Sequence, residues 1–147
     1  MRIIPDYPPV WTLLAIVVVI IGNLLLPEFL FDFQIRWIGT AGMVAGLGLI
    51  VWSAFWFRRK KTTIDPHERP TTLLIEGPYR VSRNPIYLGM AVICLGVVIY
   101  VGNPIGIFPA LGLIWILHHR FVLPEENGLI EVFGDEGKAY VAETRRW

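Results

Sequence analysis

The sequence predicts an all-α integral membrane protein. It has about four transmembrane helices, the last two forming a short hairpin, and a cytoplasmic helical tail at its C-terminal end. Three observations carry this expectation. Hydrophobic residues make up 54% of the 147 and charged residues only 17%, where soluble domains hold roughly 25% charged residues. Three uncharged stretches of 17, 21 and 32 residues run through the chain. Finally, 12 of the 13 Lys and Arg residues fall on one side of a four-span arrangement. The net charge of +1 gives no bulk electrostatic support to a nucleic-acid partner. One cysteine, Cys94, excludes an intrachain disulfide and a cysteine zinc cluster.

The first stretch, Val10 to Leu26, is rich in Val and Ile. Seventeen residues are too many for a buried strand and suit a bilayer crossing, which Pro27 is expected to end. It does not read as a cleavable signal: its basic flank is Arg2 alone and no small-x-small site follows. The second stretch, Trp37 to Phe57, lies between Arg36 and the basic run Arg58 to Lys61. Trp37, Trp52 and Trp56 sit towards its ends, as interfacial aromatics do. Gly42 and Gly46, four apart, are either a close helix contact or ordinary membrane glycines.

The third stretch, Ile86 to Leu117, is interrupted by Gly102-Asn103-Pro104. A straight helix of that length would measure roughly 48 Å, against a hydrocarbon core of about 30 Å. A hairpin turning at Gly102 to Pro104 fits better, its second arm running through His118-His119-Arg120 to about Leu123. A re-entrant pair is the alternative. With both termini on one side, that side holds Arg2, Arg58, Arg59, Lys60, Lys61, Arg69, Arg80, Arg83, Arg120, Lys138, Arg145 and Arg146. The other holds Arg36 alone, so both termini are expected in the cytoplasm.

The chain reads as one membrane-embedded domain: a two-span part over 1–57 and a functional core over 58–147. Two polar segments hold nearly all the chemistry, Arg58 to Asn84 and Pro124 to Trp147. Pro66, Pro70 and Pro78 keep the first from being one helix. The second splits at Gly134, with helix expected before and after it. Metal binding is not expected: His67, His118 and His119 are the only histidines, and the adjacent pair diverges by about 100° on a helix. Phosphate-cradling glycine motifs and a nucleophile elbow are absent.

Two constellations remain. Glu125-Glu126 directly follows the last apolar stretch. Paired carboxylates at a membrane surface need cationic or hydroxylated partners. On position alone the simpler reading, a solvated helix start favoured by the helix dipole, is preferred. Gly77-Pro78-Tyr79-Arg80 and Arg83-Asn84-Pro85-x-Tyr87 lead into the third stretch. They suit a carboxylate or phosphate ligand, or simply a basic cytoplasmic anchor.

Taken in order, these motifs resemble the isoprenylcysteine carboxyl methyltransferase and phospholipid methyltransferase superfamily. The order is Gly-Pro-Tyr-Arg, Arg-Asn-Pro-x-Tyr-x-Gly, an apolar hairpin, Arg-x4-Glu-Glu, Phe-Gly, Tyr and Arg-Trp, from about Thr62 to Trp147. The resemblance implies a membrane-embedded enzyme using S-adenosyl-L-methionine without a Rossmann domain. It implies that Tyr79, Arg83, Asn84, Pro85 and Tyr87 shape the cofactor pocket, that Glu125 and Glu126 contact the cofactor, and that Arg120, which precedes that pair in the same motif, and Tyr140 belong to the cofactor-binding set too. It places Tyr140, Arg146 and Trp147 in a tail that closes over the site, with Arg83, Glu125 and Arg146 in the catalytic role. Asn84 departs from the histidine of the best-known members. Asparagine does not titrate, which removes a proton-transfer role there and weakens the carry-over of activity on protein substrates.

The expected function is therefore methyl transfer to a lipophilic acceptor that enters from the bilayer, foremost an isoprenylcysteine-type carboxylate. N-methylation of a phospholipid headgroup is the alternative. A non-catalytic membrane scaffold and a small transporter are the readings of other classes. Thr12, Asn23, Thr40 and Ser53 are the few polar residues within the first two spans, which argues against a solute pathway.

Overall fold

A computed structural model describes residues 6–25, 33–60 and 71–147. Pro27, Pro66, His67 and Pro70, and the cations Arg2, Lys61 and Arg69, lie outside the described residues. Among the described residues all regular structure is helical, with no strand. The helices are α1 (Pro8–Leu25), α2 (Phe33–Lys60), α3 (Pro85–Val101), α4 (Ile107–Leu117) and α5 (Leu123–Glu143). The segments Pro8–Leu25, Ile35–Lys60 and Pro104–Glu143 are long and apolar enough to cross a bilayer, and α3 is a shorter apolar helix.

Helix α1 starts at Pro8-Pro9, where the missing N–H groups cost nothing because a first turn has no acceptor for them. Most of its large apolar side chains face outwards, Leu24 and Leu25 at 73% and 74% exposure. Val19 faces inwards and packs with α3 and α4. Exposed aliphatic surface of this kind suits a lipid surround, because a soluble monomer would not tolerate it.

Helices α2 and α3 form the main contact of the fold, and glycine sets their spacing. A Cβ on Gly46 would stand 2.6 Å from the Gly89 carbonyl oxygen, and one on Gly39 would stand 2.6 Å from that of Gly96. The two backbones therefore touch at Gly39 with Gly96 and at Gly46 with Gly89. The contact involves Gly46, as the glycine pair in the sequence allowed, but its second member is Gly39. Gly42 leaves ordinary contact distances, 3.7 Å to the Gly96 Cα. Two contacts seven residues apart keep one helix face in register over two turns. Thr12, Thr40 and Ser53 donate their hydroxyls to the Pro8, Arg36 and Leu49 carbonyls of their own helices.

Helix α3 is central: its buried residues, from Tyr87 through Met90, Cys94 and Val98, cover most of its circumference. It ends where the sequence placed the turn. Gly102 takes φ 83°, a left-handed cap that a side chain resists. The Asn103 side chain accepts from the Ile105 N–H at 3.0 Å, and Pro104 opens the next turn. Helix α4 then runs back against α1 and α3, with Ala110, Leu113 and Leu117 in the core.

No break separates α4 from the tail. One π-helical turn, His118–Val122, carries the chain directly into α5, and Pro124 is accommodated in the first turn of that helix. The expected division at Gly134 is present as a sharp bend with φ 56° and ψ −122°. The chain after it folds back so closely that Gly137 packs on the Leu129 backbone. The helix ends at Glu143, and Thr144 takes extended backbone.

Candidate functional site

The site is built where the segment before α3 meets the chain after α5. Gly77 opens a single 3-10 turn, Gly77–Arg80, at φ 58° under the Trp56 indole. Tyr79 is thereby buried, its ring edge-on to Phe57 at 5.6 Å. Five bonds lace this segment to the tail. The Arg83 amide donates to the Arg145 carbonyl at 2.7 Å, and the Ser82 hydroxyl to that of Arg146 at 3.1 Å. Asn84 Nδ2 donates to the Arg146 carbonyl at 3.2 Å, and the Tyr140 hydroxyl to that of Tyr79 at 2.9 Å. Arg83 also donates through Nη1 to the Val141 carbonyl. Residues more than 55 apart in sequence are thus tied along two short stretches of backbone.

The adjacent glutamates divide their work. Glu126 is 5% exposed and is gripped by the Arg146 guanidinium through two bonds, Nε to Oε1 at 2.8 Å and Nη2 to Oε2 at 2.7 Å. Arg83 Nη2 stands 3.4 Å from the same carboxylate. A two-bond grip of this kind is the strong form of the arginine–carboxylate pair. It also holds the Arg146 guanidinium above its ordinary pKa. Glu125 faces the other way, accepting from the Tyr87 hydroxyl. One carboxylate locks the tail and the other is left for chemistry.

Glu125 lines a cavity of about 360 Å³, within the roughly 300–1,000 Å³ range of small-molecule sites. Tyr79, Arg83, Asn84 and Tyr87 line it too, together with Tyr7, Pro8, Pro9, Phe57, Ile86 and Met90. Five of the residues singled out in the sequence thus come together on one cavity wall. Pro85 sits just behind it, fully buried at the start of α3. Glu126, Tyr140 and Arg146 lie outside the lining, as the brace described above. Trp147 lies beside His118, ring centroids 6.3 Å apart. Arg120 does not reach the lining either: its Nε pairs with Asp6 Oδ1 at 2.7 Å.

Burial pushes the Tyr79 phenol well above its ordinary pKa, and nearby Glu125 pushes it the same way, so it enters chemistry as a neutral hydroxyl. Arg83 Nε is buried and has no hydrogen-bond partner, which buried polar groups seldom tolerate. A cation with an unsatisfied donor, a carboxylate and aromatic faces suit a ligand with both an anionic and a cationic end. Among the described residues no cluster of metal-ligating side chains exists.

The profile of the phospholipid methyltransferase family matches residues 35–136, more than two thirds of the chain. The chain belongs to the phospholipid methyltransferase family. It is a membrane methyltransferase by that membership, within the superfamily that the ordered motifs resemble. No curated protein and no solved structure matches significantly. The family match takes in α2, α3, Tyr79 through Glu126 and the bend at Gly134, and stops short of Tyr140 and Arg146.

Sequence reasoning missed Tyr7, Pro8, Pro9, Phe57, Ile86 and Met90 as lining residues. Ile86 and Met90 lie on α3 among other apolar residues, and Tyr7, Pro8, Pro9 and Phe57 reach the cavity only through the packing of α1 and α2 on α3. The Pro-Pro pair ahead of the first apolar stretch was the one visible signal.

Proposed function

We propose that this cavity is where S-adenosyl-L-methionine meets a lipophilic acceptor, and that the protein is a membrane methyltransferase of the isoprenylcysteine carboxyl type. The observation that carries this reading is the convergence of Tyr79, Arg83, Asn84, Tyr87 and Glu125 on one cavity. The residues fit the donor. Glu125 presents a carboxylate to its ammonium or ribose hydroxyls, and Arg83, with Nε unpartnered, presents a cation to its carboxylate. When bound, the donor supplies an electrophilic methyl group on a sulfonium. The chain's own part is to align acceptor and donor and to exclude water, which is the main source of acceleration for an in-line displacement. Phe57, Ile86 and Met90 give the lining an apolar side for the acceptor's hydrocarbon.

The carboxylate acceptor is supported by Asn84. It does not titrate, and its amide is committed to the Arg146 carbonyl, while an ionised carboxylate needs no proton removed. Glu125 supports a second reading, N-methylation of a phospholipid headgroup, because an amine must lose a proton and Glu125 is the carboxylate on the lining. The name of the matched family points to the same acceptor. On either reading the protein crosses the bilayer four times with its site in the cytoplasm. In support, Phe57 places the cavity at the basic end of α2, beside Arg58, Arg59 and Lys60.

The test supplies radiolabelled donor to purified protein with an S-prenylated cysteine or with phosphatidylethanolamine, beside Glu125→Gln. Label that base releases as volatile methanol, and that still forms at saturating donor after the substitution, supports carboxyl methylation. A stable labelled lipid whose formation falls on the order of 10²-fold supports the amine. Failure of folded wild-type protein to bind S-adenosylhomocysteine overturns both and leaves a membrane scaffold.

A further inference from the structure

Arg120 was expected to contact the cofactor, and the structure gives it another task. It projects from the π-helical turn towards the start of α1. There its Nε pairs with Asp6 Oδ1 at 2.7 Å, and its guanidinium lies over the Trp11 ring, 5.5 Å from the centroid. The same Asp6 oxygen accepts from Trp11 Nε1 at 3.3 Å. Three side chains from two distant parts of the chain thus form one cluster. The backbone it fixes is that of Tyr7, Pro8 and Pro9, which line the cavity.

The chemistry of that stretch makes a clasp useful. Two consecutive prolines lack N–H groups, so this stretch is held through its carbonyls: Val10 and Trp11 donate to that of Tyr7, and the Thr12 hydroxyl to that of Pro8. Pro8 is buried between the exposed Tyr7 and Pro9. The π turn, a feature common at functional sites, carries Arg120, and Glu125 lies three residues beyond it in α5.

We infer that Arg120 is a positioning residue: through Asp6 and Trp11 it holds the Tyr7–Pro9 segment as a wall of the cavity and so sets how well the cavity retains its ligands. This rests on the proposal that methyl transfer occurs in that cavity. It assigns Arg120 no contact with donor or acceptor. An ion pair whose arginine is half exposed and a cation–π contact are each modest. Together they bias the closed wall by about tenfold, so losing them raises KM more than it lowers kcat.

The experiment reads the wall without needing catalysis. Pro8→Cys is introduced, native Cys94 being fully buried, and its maleimide labelling rate is followed in detergent with Arg120, Arg120→Ala, Asp6→Asn or the swapped pair Asp6→Arg with Arg120→Asp. Labelling about tenfold faster in both single variants, reversed by the swap, is the expected result. In the Pro8 background it is accompanied by KM raised several-fold at nearly constant kcat. Where Arg120→Ala does not fold, Asp6→Asn, which keeps the side-chain volume, decides. Unchanged labelling in the single variants overturns the inference. So does a loss of S-adenosylhomocysteine binding that leaves labelling unchanged, which returns Arg120 to direct cofactor contact. Because labelling needs no donor, absence of methyl transfer in wild type would sink the function while leaving the clasp standing or falling on its own rates.

Discussion

Substituting Glu125 and Glu126 separately by alanine is expected to produce opposite phenotypes. Glu126 is 5% exposed and receives two short bonds from Arg146, with Arg83 at 3.4 Å. Its removal strands Arg83, whose side chain is 8% exposed. Breaking a buried pair costs about 3–5 kcal/mol. The low end applies, because Arg146 is 36% exposed and regains water while Arg83 keeps its bond to the Val141 carbonyl. A loss of about 3 kcal/mol lowers Tm by roughly 6–12 °C in a chain of this size. Glu125 has one hydrogen-bond partner, Tyr87, and its removal changes stability by no more than about 1 kcal/mol. It does remove the carboxylate from the cavity. A charge-assisted hydrogen bond of about 1.5–3 kcal/mol corresponds to S-adenosylhomocysteine affinity reduced between roughly tenfold and 150-fold. The assay pairs thermal melts in one detergent at one scan rate with calorimetric titration. Equal Tm losses in the two variants would refute the division of labour, as would Glu126→Ala abolishing binding at unchanged Tm.

Further outcomes follow from the same geometry. Gly46→Ala or Gly89→Ala forces a Cβ to 2.6–2.7 Å from the opposing carbonyl and should cost about 1–3 kcal/mol in thermal melts, while Gly48→Ala, with nothing within 4 Å, should be neutral. Tyr140→Phe leaves the Tyr79 carbonyl without that donor and should cost about 1 kcal/mol, or roughly 2–4 °C. Burial raises the Tyr79 pKa, so the folded state holds that proton more tightly than the unfolded chain. Its stabilising share is full below about pH 10 and is lost as pH rises beyond it. The decline of Tm above pH 10 should therefore be shallower in Tyr79→Phe than in wild type.

The helical class was legible because it depends on local composition. Seventeen or more uncharged residues in a row leave the backbone no partner but itself in an apolar surround, whatever else they touch. The hairpin turn was equally legible, because Gly102, Asn103 and Pro104 each suit a turn by their own backbone preferences. The bend at Gly134 belongs with them. The glycine contact was half legible: Gly46 was right and Gly42 was not, because spacing cannot tell which turn of α2 meets α3.

The chemical identity of the site was likewise written in order along the chain, in Tyr79, Arg83, Asn84, Tyr87 and the two glutamates. The division between them was not. Neighbouring glutamates are equivalent on paper, and only the bend at Gly134 within α5, after which the chain returns Arg146 to the start of α3, makes Glu126 a brace and leaves Glu125 on the cavity. Arg120 was misdirected for the same reason: the π turn aims it at Asp6, 114 positions away. Local sequence determined which segments are helical and where they turn, because backbone preference and desolvation act residue by residue. Tertiary structure alone decided which charges meet, because a buried charge takes its role from whichever partner packing brings within about 3 Å.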